Sequence, residues 1–263
     1  MSLLDVKGVG ISFGGVKAVQ DVSFTVGKGQ IVSVIGPNGA GKTTLFNMLS
    51  GIYDPMQGEV KLNDEVITGM PSHLLARRGM SRTFQNLQVF PAMTVLQNVA
   101  TGFHLQEKGP LLADLLALPS ARKRVRESED KARALLDRVG LKRAADVEAG
   151  SLSYGSLKRL EIARALALNP ELLLLDEPAA GCNAVETEEI EKLVAEVAAD
   201  GIAILLVEHD MKMVMRISNK IVVLDYGQKI AEGTPAEIAV HPRVIEAYLG
   251  AAAKEETAEY AKC

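Results

Sequence analysis

Short apolar runs recur along the chain, and each predicts one strand of a layered fold. Val19–Val26 alternates partly between apolar and polar positions, which is typical of a half-buried strand. Gln30–Ile35 is rich in β-branched residues, as buried strands are, and Gly27-Lys28-Gly29 before it predicts a turn. Three later runs have the same buried character: Leu172–Leu175, Ile202–Val207 and Ile221–Leu224.

Helical patterns separate these runs. Lys42–Leu49 is helix-like and stops before Gly51, a residue type that commonly ends helices. Thr94 and Gln97 have capping-box spacing and predict a helix start. Leu157–Leu168 predicts another helix, which Asn169-Pro170 ends. On a further helix the apolar residues share one face: Ile190, Leu193, Val194 and Val197.

The middle of the chain differs from its two ends. From Thr94 to about Gly140 it looks helical, with interruptions predicted at Gly109-Pro110 and Pro119. Strands alternate with helices on both sides of this stretch, so we expect a mainly parallel sheet covered on both faces. Lys254–Cys263 is predicted to be a frayed polar tail.

Composition and charge argue against several classes of protein. The formal net charge of the 263 residues is -4, so no global basic field indicates a nucleic-acid partner. Cys182 and Cys263 form no motif, which fits a reducing compartment. There is no signal-peptide pattern and no apolar run of the roughly 18 residues needed to span a bilayer. Work at a membrane would therefore require docking on another chain. The basic cluster at residues 122–126 is either a solvated helix face or a docking surface.

The segment Gly36–Thr43 fits the pattern G-x-x-x-x-G-K-[ST], and it lies between a predicted strand and a predicted helix. Glycines let successive backbone N–H groups turn inward toward phosphate oxygens, and the following helix adds its positive end. In such a loop Lys42 reaches the β- and γ-phosphates, and the Thr43 hydroxyl ligates Mg²⁺. The segment therefore predicts an ATP and Mg²⁺ site.

Acidic and imidazole side chains follow two of the buried runs. Asp176 and Glu177 come directly after Leu172–Leu175, and His209 follows Ile202–Val207. Asp176 is predicted to hold the metal, directly or through water. Glu177 is predicted to orient and deprotonate the attacking water. His209 is predicted to donate a hydrogen bond to the γ-phosphate.

Leu152-Ser153-Tyr154-Gly155, upstream of Asp176-Glu177, resembles the signature sequence of ABC-type ATPases. Within that resemblance Gln85 looks like the glutamine of the Q-loop, His209 like the switch histidine, and Phe13 like the aromatic residue placed against adenine. The resemblance implies a P-loop ABC ATPase of the α/β class. Its expected parts are a RecA-like, mainly parallel sheet core, an N-terminal antiparallel β subdomain and an inserted helical subdomain.

The same resemblance implies domain bounds. The nucleotide-binding core with its β subdomain would take residues 1–90 and 162–240. The helical subdomain would take 91–161, and a C-terminal helix and tail would take 241–263.

The resemblance also assigns roles to residues. Those implied for catalysis are Glu177, His209, Gln85 and Lys42, and those implied for the metal are Thr43, Gln85 and Asp176. The nucleotide contacts implied within one chain are Phe13, Asn38, Gly39, Ala40, Gly41, Lys42, Thr43 and Thr44. Ser153 and Gly155 would contact the nucleotide of a second subunit, in a head-to-tail pair that sandwiches two ATP molecules.

Longer stretches narrow the resemblance to one subfamily. Arg82–Asn86, Arg159–Arg164, Glu208–Met211 and His241–Gly250 are similar to the ATP-binding subunits of branched-chain amino acid importers. This implies permease subunits as partners near Gln85 and the helical lobe, and a solute-binding protein acting indirectly. It also implies a cytoplasmic protein held peripherally on the inner face of the cell membrane. The second ATPase subunit could be identical or homologous.

Three departures and several alternatives stay open at this point. Ser156 stands where the signature usually has glutamine, and Cys182 and Ala184 alter a loop where two subunits should communicate. The rival transporters are a urea or amide importer and a lipopolysaccharide exporter. A soluble ABC ATPase without permeases is the alternative outside transport. A GTPase or small-molecule kinase would leave Leu152–Gly155 and His209 unexplained. A guanine motif is also missing, because Asn219-Lys220-Ile221-Val222 fails it at its last position.

Overall fold

This computed structural model describes residues 2–105 and 118–248. The described strands are β1 Ser2–Phe13, β2 Val16–Gly27, β3 Ile31–Ile35, β4 Gln57–Leu62, β5 Glu65–Val66, β6 Met80–Arg82, β7 Leu172–Asp176, β8 Ala203–Val207, β9 Lys220–Asp225 and β10 Gln228–Gly233. The described helices are α1 Lys42–Leu49, α2 Ser72–Arg77, α3 Val95–Ala100, α4 Pro119–Arg138, α5 Tyr154–Leu166, α6 Ala184–Ala199, α7 Met211–Ile217, α8 Pro235–Ala239 and α9 at 242–248.

Two sheets organise the described chain. The central sheet has the order β10-β9-β3-β8-β7-β6, and its neighbouring strands are parallel except β9 and β10. The other sheet has the order β2-β1-β4-β5 and is antiparallel throughout. The predicted class, a mainly parallel core with an N-terminal antiparallel sheet and helices, is confirmed.

Both faces of the central sheet are covered. Every residue of β3, β7 and β8 is buried, and the apolar residues of β7 and β8 alternate between two different apolar clusters. Leu172 and Leu174 pack with Phe46 of α1 and with the antiparallel sheet, whereas Leu173 and Leu175 pack with Leu193 and its neighbours on α6. The predicted apolar face of α6, Ile190, Leu193, Val194 and Val197, is buried as expected.

Several predicted helix limits are confirmed. Helix α1 has the expected bounds, and Gly51 follows it with φ +70°. Thr94 caps α3 in a complete capping box with Gln97. Asn169 adopts φ +52° just after α5, which agrees with the predicted stop.

One helix prediction is wrong in position, and one predicted interruption is confirmed. Helix α5 begins at Tyr154, three residues before the predicted Leu157, because the Ser153 hydroxyl caps it by accepting from the N–H of Ser156. Leu118 is extended and a new helix, α4, opens at Pro119, so the interruption predicted there is confirmed. A proline in the first turn loses no helical hydrogen bond.

Other expectations stay untested. Gly109-Pro110 and the tail Lys254–Cys263 lie outside the described residues. The domain bounds stay a prediction, and the boundary between 161 and 162 falls inside the continuous helix α5. Across 2–105 and 118–248, none of the helices has the length and apolar character that a bilayer crossing requires.

Candidate functional site: a phosphate-binding loop beside a polar cavity

The loop 36–43 connects the buried strand β3 to α1. A Cβ atom on Gly36, at φ +152°, would stand 2.1 Å from the carbonyl oxygen of Leu224. A Cβ on Gly41, at φ +99°, would stand 2.5 Å from that of Ala18. Both positions therefore require glycine. Helix α1 has no side-chain cap and no acidic residue in its first turn, so its first N–H groups are left for a ligand.

The side chain of Lys42 folds back over this loop. Its ammonium group donates to the carbonyl oxygens of Gly36 at 2.7 Å and of Pro37 at 3.1 Å, and the residue is only 6% exposed. Burial lowers the pKa of Lys42, and the carboxylate of Glu177 opposes that shift. The ammonium group of Lys42 therefore lies at the loop and is bound by two backbone carbonyl oxygens. It could exchange these two partners for the oxygens of a phosphate.

A cavity of about 710 Å³ opens beside the loop. Among its lining residues are ten predicted ones, namely Asn38, Gly39, Ala40, Gly41, Lys42, Thr43, Thr44, Gln85, Glu177 and His209. Val16, Lys17, Ala18, Gln20 and Tyr226 line it as well, and no role was predicted for them. The sequence gives no motif for these five, because they come from the β2 edge and from the turn between β9 and β10.

Phe13, the predicted adenine neighbour, is not among the lining residues. Its ring packs edge-on against Tyr53, with centroids 5.2 Å apart and planes at 66°. Val16 lies at the other end of the same hairpin turn and does line the cavity.

The carboxylate of Glu177 lies between the side chains of His209 and Gln85, two other residues predicted to be catalytic. Nε2 of His209 lies 3.0 Å from Oε1 of Glu177, and the Gln85 amide donates to Oε2 at 3.1 Å. Glu177 has φ +50°, a left-handed conformation that is uncommon for a residue with a side chain. Its N–H donates to the carbonyl oxygen of Val207 at the end of β8. These contacts hold an acceptor carboxylate at the cavity wall, as a general base requires.

Asp176 does not line the cavity, because Arg82 holds it. The Arg82 guanidinium donates to Oδ2 of Asp176 at 2.7 Å, and both side chains are buried. Arg82 also donates to Asn47 at 2.8 Å and to Ser50 at 2.6 Å. No sequence motif predicts this role for Arg82. Arg82 meets Asp176 because β6 lies beside β7 in the sheet, and this strand pairing cannot be predicted from the local sequence.

Lys158 is a second residue that sequence reasoning missed. It is 2% exposed, and its ammonium group donates to the carbonyl oxygens of Gln85 at 3.3 Å and Glu177 at 3.2 Å. The ammonium group of Lys158 thus links the backbone at Gln85 to the backbone at Glu177, and both residues line the cavity. A lysine on a helix usually indicates a solvated face, so the sequence carried no signal for this role.

Ser153 and Gly155 lie away from the cavity formed by the same chain. Ser153 caps α5, and the N–H of Gly155 belongs to its first turn. Both groups contact the carboxylate of Glu186 on α6. Ser156, the departure from the signature pattern, has its hydroxyl 3.1 Å from that of Ser153 and accepts from Arg159 at 3.2 Å.

The last described helix also contacts the loop. Burial raises the pKa of the Tyr248 hydroxyl to about 12, and the nearby backbone of Gly36 opposes that shift. The same hydroxyl lies 4.0 Å from the sulfur of Met211, two residues after His209. Helix α9 thus packs on both the phosphate-binding loop and the start of α7.

A glycine loop with a folded-back lysine, set beside a carboxylate at the end of a buried parallel strand, defines a P-loop nucleotide-hydrolysing protein. The chain belongs to the ABC transporter family, whose model matches residues 19–180. A second model, described as the branched-chain amino acid ATP-binding cassette transporter, matches 228–254. Family membership makes the chain an ATP-binding subunit with ATPase activity, as predicted.

Curated relatives and solved structures agree with this placement. The chain is 47% identical to the high-affinity branched-chain amino acid transport ATP-binding protein LivG of Escherichia coli, over 95% of this chain and 98% of LivG. It is 45% identical to BraF of Pseudomonas aeruginosa, a protein of the same description, over the same shares. The predicted subfamily resemblance is thereby confirmed. The ADP conformation of an ATP-binding cassette of an ABC transporter superposes with a TM-score of 0.83 at 35% identity, covering 95% of this chain and 99% of that one.

Proposed function

We propose that this chain is the ATP-hydrolysing subunit of a membrane importer for branched-chain amino acids. The observation that carries the proposal is the Glu177 carboxylate, held by His209 and Gln85 on the wall of the cavity that the phosphate-binding loop also lines. The cargo class rests on the similarity to LivG and BraF, which are described as branched-chain amino acid transport proteins.

The residues of the cavity divide the chemistry among them. Lys42 gives up its bonds to Gly36 and Pro37 to bind the phosphates, together with the N–H groups at the start of α1. Phe13 is still proposed as the neighbour of adenine, although it does not line the cavity. Glu177 accepts the proton of the attacking water, and His209 and Gln85 orient its carboxylate.

Magnesium fits the oxygen donors that the chain offers. Thr43 and Gln85 line the cavity, and the Thr43 hydroxyl and the Gln85 amide oxygen would hold the ion, because Mg²⁺ prefers hydroxyl, carbonyl and carboxylate oxygens. Asp176 does not line the cavity, so its Oδ1 would act on the ion through a water. Oδ2 of Asp176 is bound by Arg82. When bound, the ion would neutralise charge that develops on the phosphates.

A second subunit would complete the nucleotide site. Ser153 and Gly155 do not line the cavity of their own chain, which suits them to contact the nucleotide of a partner. A bacterial ABC transporter cassette has been solved as a dimer, and it superposes with a TM-score of 0.74 at 26% identity, covering 88% of this chain and 98% of that one. We propose a head-to-tail pair that closes on ATP and opens after hydrolysis.

Permease subunits would turn this closure into transport. We propose that they dock near Gln85 and the predicted helical subdomain 91–161, so that the chain lies peripherally on the cytoplasmic face of the cell membrane. The cargo would be selected by a solute-binding protein that this chain does not touch.

A pull-down from native membranes in mild detergent tests the proposal. Two polytopic permeases and a second ATPase subunit, with a matching solute-binding protein that binds leucine, isoleucine or valine, are expected. Recovery in the soluble fraction without permeases would contradict the transport proposal. Recovery with lipopolysaccharide-export components would contradict the import proposal; the chain is 34% identical to the export ATPase LptB of Escherichia coli.

Hydrolysis has its own test. A Glu177→Gln variant is expected to bind ATP, to hydrolyse it very slowly and to accumulate as a pair. Hydrolysis at the wild-type rate would show that Glu177 is not the base.

A further inference from the structure

A carboxylate of the chain itself occupies the start of α5. Oε1 of Glu186 accepts from the N–H of Gly155 and from the Ser153 hydroxyl, each at 3.2 Å. Oε2 accepts from the N–H of Asn183 at 3.2 Å. Glu186 therefore joins the first turn of α5 to the first turn of α6 through one carboxyl group.

These contacts use the groups that the proposed function assigns to a partner's γ-phosphate. Backbone N–H and hydroxyl donors at a helix start bind phosphate and carboxylate oxygens by the same chemistry. The space is filled as well as the donors, because a Cβ atom on Gly155 would stand 2.4 Å from Cδ of Glu186. A phosphate oxygen cannot bind the N–H of Gly155 while the Glu186 carboxyl stays there.

We propose that Glu186 is an internal competitor for the signature site, displaced when the partner's nucleotide arrives. This inference rests on the proposed head-to-tail pairing. Carboxylate and phosphate are both negative, so their competition includes repulsion as well as exclusion. While Glu186 holds Ser153 and Gly155, the free subunit presents an occupied anion site, and pairing requires enough bound ATP to move the side chain away.

Displacement would also reach the loop before α6. Glu186 and Asn183 form the reciprocal capping box of that helix, in which Asn183 accepts from the N–H groups of Val185 and Glu186. Moving the Glu186 carboxyl breaks its bond to the N–H of Asn183. The segment 181–183, where subunits are expected to communicate, therefore loses one restraint when the signature site binds a phosphate.

The substitution Glu186→Gln isolates the charge. Glutamine also serves in a capping box, so the start of α6 keeps its hydrogen bonds. We expect the ATP concentration for half-maximal pairing to fall about tenfold in a Glu177→Gln background, as loss of one charge-assisted contact predicts. Analytical ultracentrifugation across an ATP series measures it, with the chain alone and mixed with the ATPase subunit that co-purifies.

Glu188→Gln is the matched control, because Glu188 is exposed on the same helix, and it should leave the midpoint unchanged. The melting temperature of each variant without nucleotide reports whether it folds. If Glu186→Gln fails to fold, Glu186→Asp tests the same contact, since it shortens the side chain and should also lower the midpoint.

An unchanged or raised midpoint in Glu186→Gln, or an equal fall in Glu188→Gln, would overturn the competitor role while leaving the pairing intact. Failure of the parental Glu177→Gln chain to pair at any ATP concentration, alone or mixed, would instead overturn the proposed pairing and this inference with it.

Discussion

The buried pair of Arg82 and Asp176 gives the sharpest quantitative prediction. The side chains are 7% and 3% exposed, and they meet at 2.7 Å. In Arg82→Met the carboxylate of Asp176 stays buried without its cation, a situation that destabilises proteins by about 3–5 kcal/mol. Methionine approximates the volume of the arginine stem, so the loss is mainly electrostatic.

Further contacts place the expected value in the upper part of that range. Asn47 and Ser50 lose a donor, and the guanidinium lies 5.0 Å from the ring centroid of Phe84. We therefore expect a loss of about 4 kcal/mol in the free energy of unfolding. For a chain of this size that corresponds to a melting temperature lower by about 8–16 °C.

Urea denaturation of wild type, Arg82→Met, Asp176→Asn and the double variant measures this loss and the coupling between the two side chains. The double variant should be more stable than the sum of single losses predicts, by about 1–3 kcal/mol. Arg133→Met is the matched control, because Arg133 pairs with Asp146 at 3.0 Å on the surface. It should change stability by less than about 1 kcal/mol. If Arg82→Met loses no more than this control, the pair does not stabilise the fold as argued.

Three further predictions follow from single contacts. Gly51→Ala, at φ +70° with its Cβ 2.2 Å from the Met70 carbonyl oxygen, should lose about 1–3 kcal/mol in denaturation. Lys158→Met frees the Glu177 carbonyl, so steady-state assays should show kcat lowered about 10- to 100-fold with ATP affinity retained. Burial raises the pKa of Glu161 above 4.5, so the folded chain binds this proton more tightly, and stability falls as pH rises from 4.5 through the raised pKa. In Glu161→Gln the free energy of unfolding, measured by urea denaturation, should lose the part of its decrease between pH 4.5 and neutrality that Glu161 causes.

Contiguous motifs were the part of the site that the sequence could predict. The glycines of Gly36–Thr43 restrict the backbone of the loop locally, and Asp176-Glu177 follows an apolar run of the length that a buried strand has. Strand, loop and helix are adjacent in the chain, so no long-range contact had to be inferred. The same reasoning correctly placed Lys42–Leu49 and the capping box at Thr94.

Pairings between distant segments could not be predicted in this way. Arg82 meets Asp176, and Glu186 meets Gly155, only after the strands and helices have packed. Lys158 illustrates the difficulty best, since the helical pattern around it is compatible with a solvated side chain. The apolar pattern begins only at Leu157, so it does not indicate that the Ser153 cap starts α5 at Tyr154.

The order of strands in the central sheet has a consequence for synthesis on the ribosome. Strand β3 carries the phosphate-binding loop near the start of the chain, but its neighbours are β8 and β9. At about 5–20 residues per second, the roughly 170 residues between β3 and β8 take about 10–35 s to emerge. Strands β1, β2 and β4 can pair during that interval. The phosphate-binding loop still lacks the two strands that flank β3 in the sheet. Nascent chains of this protein should therefore acquire nucleotide binding only after β8 and β9 have emerged from the ribosome.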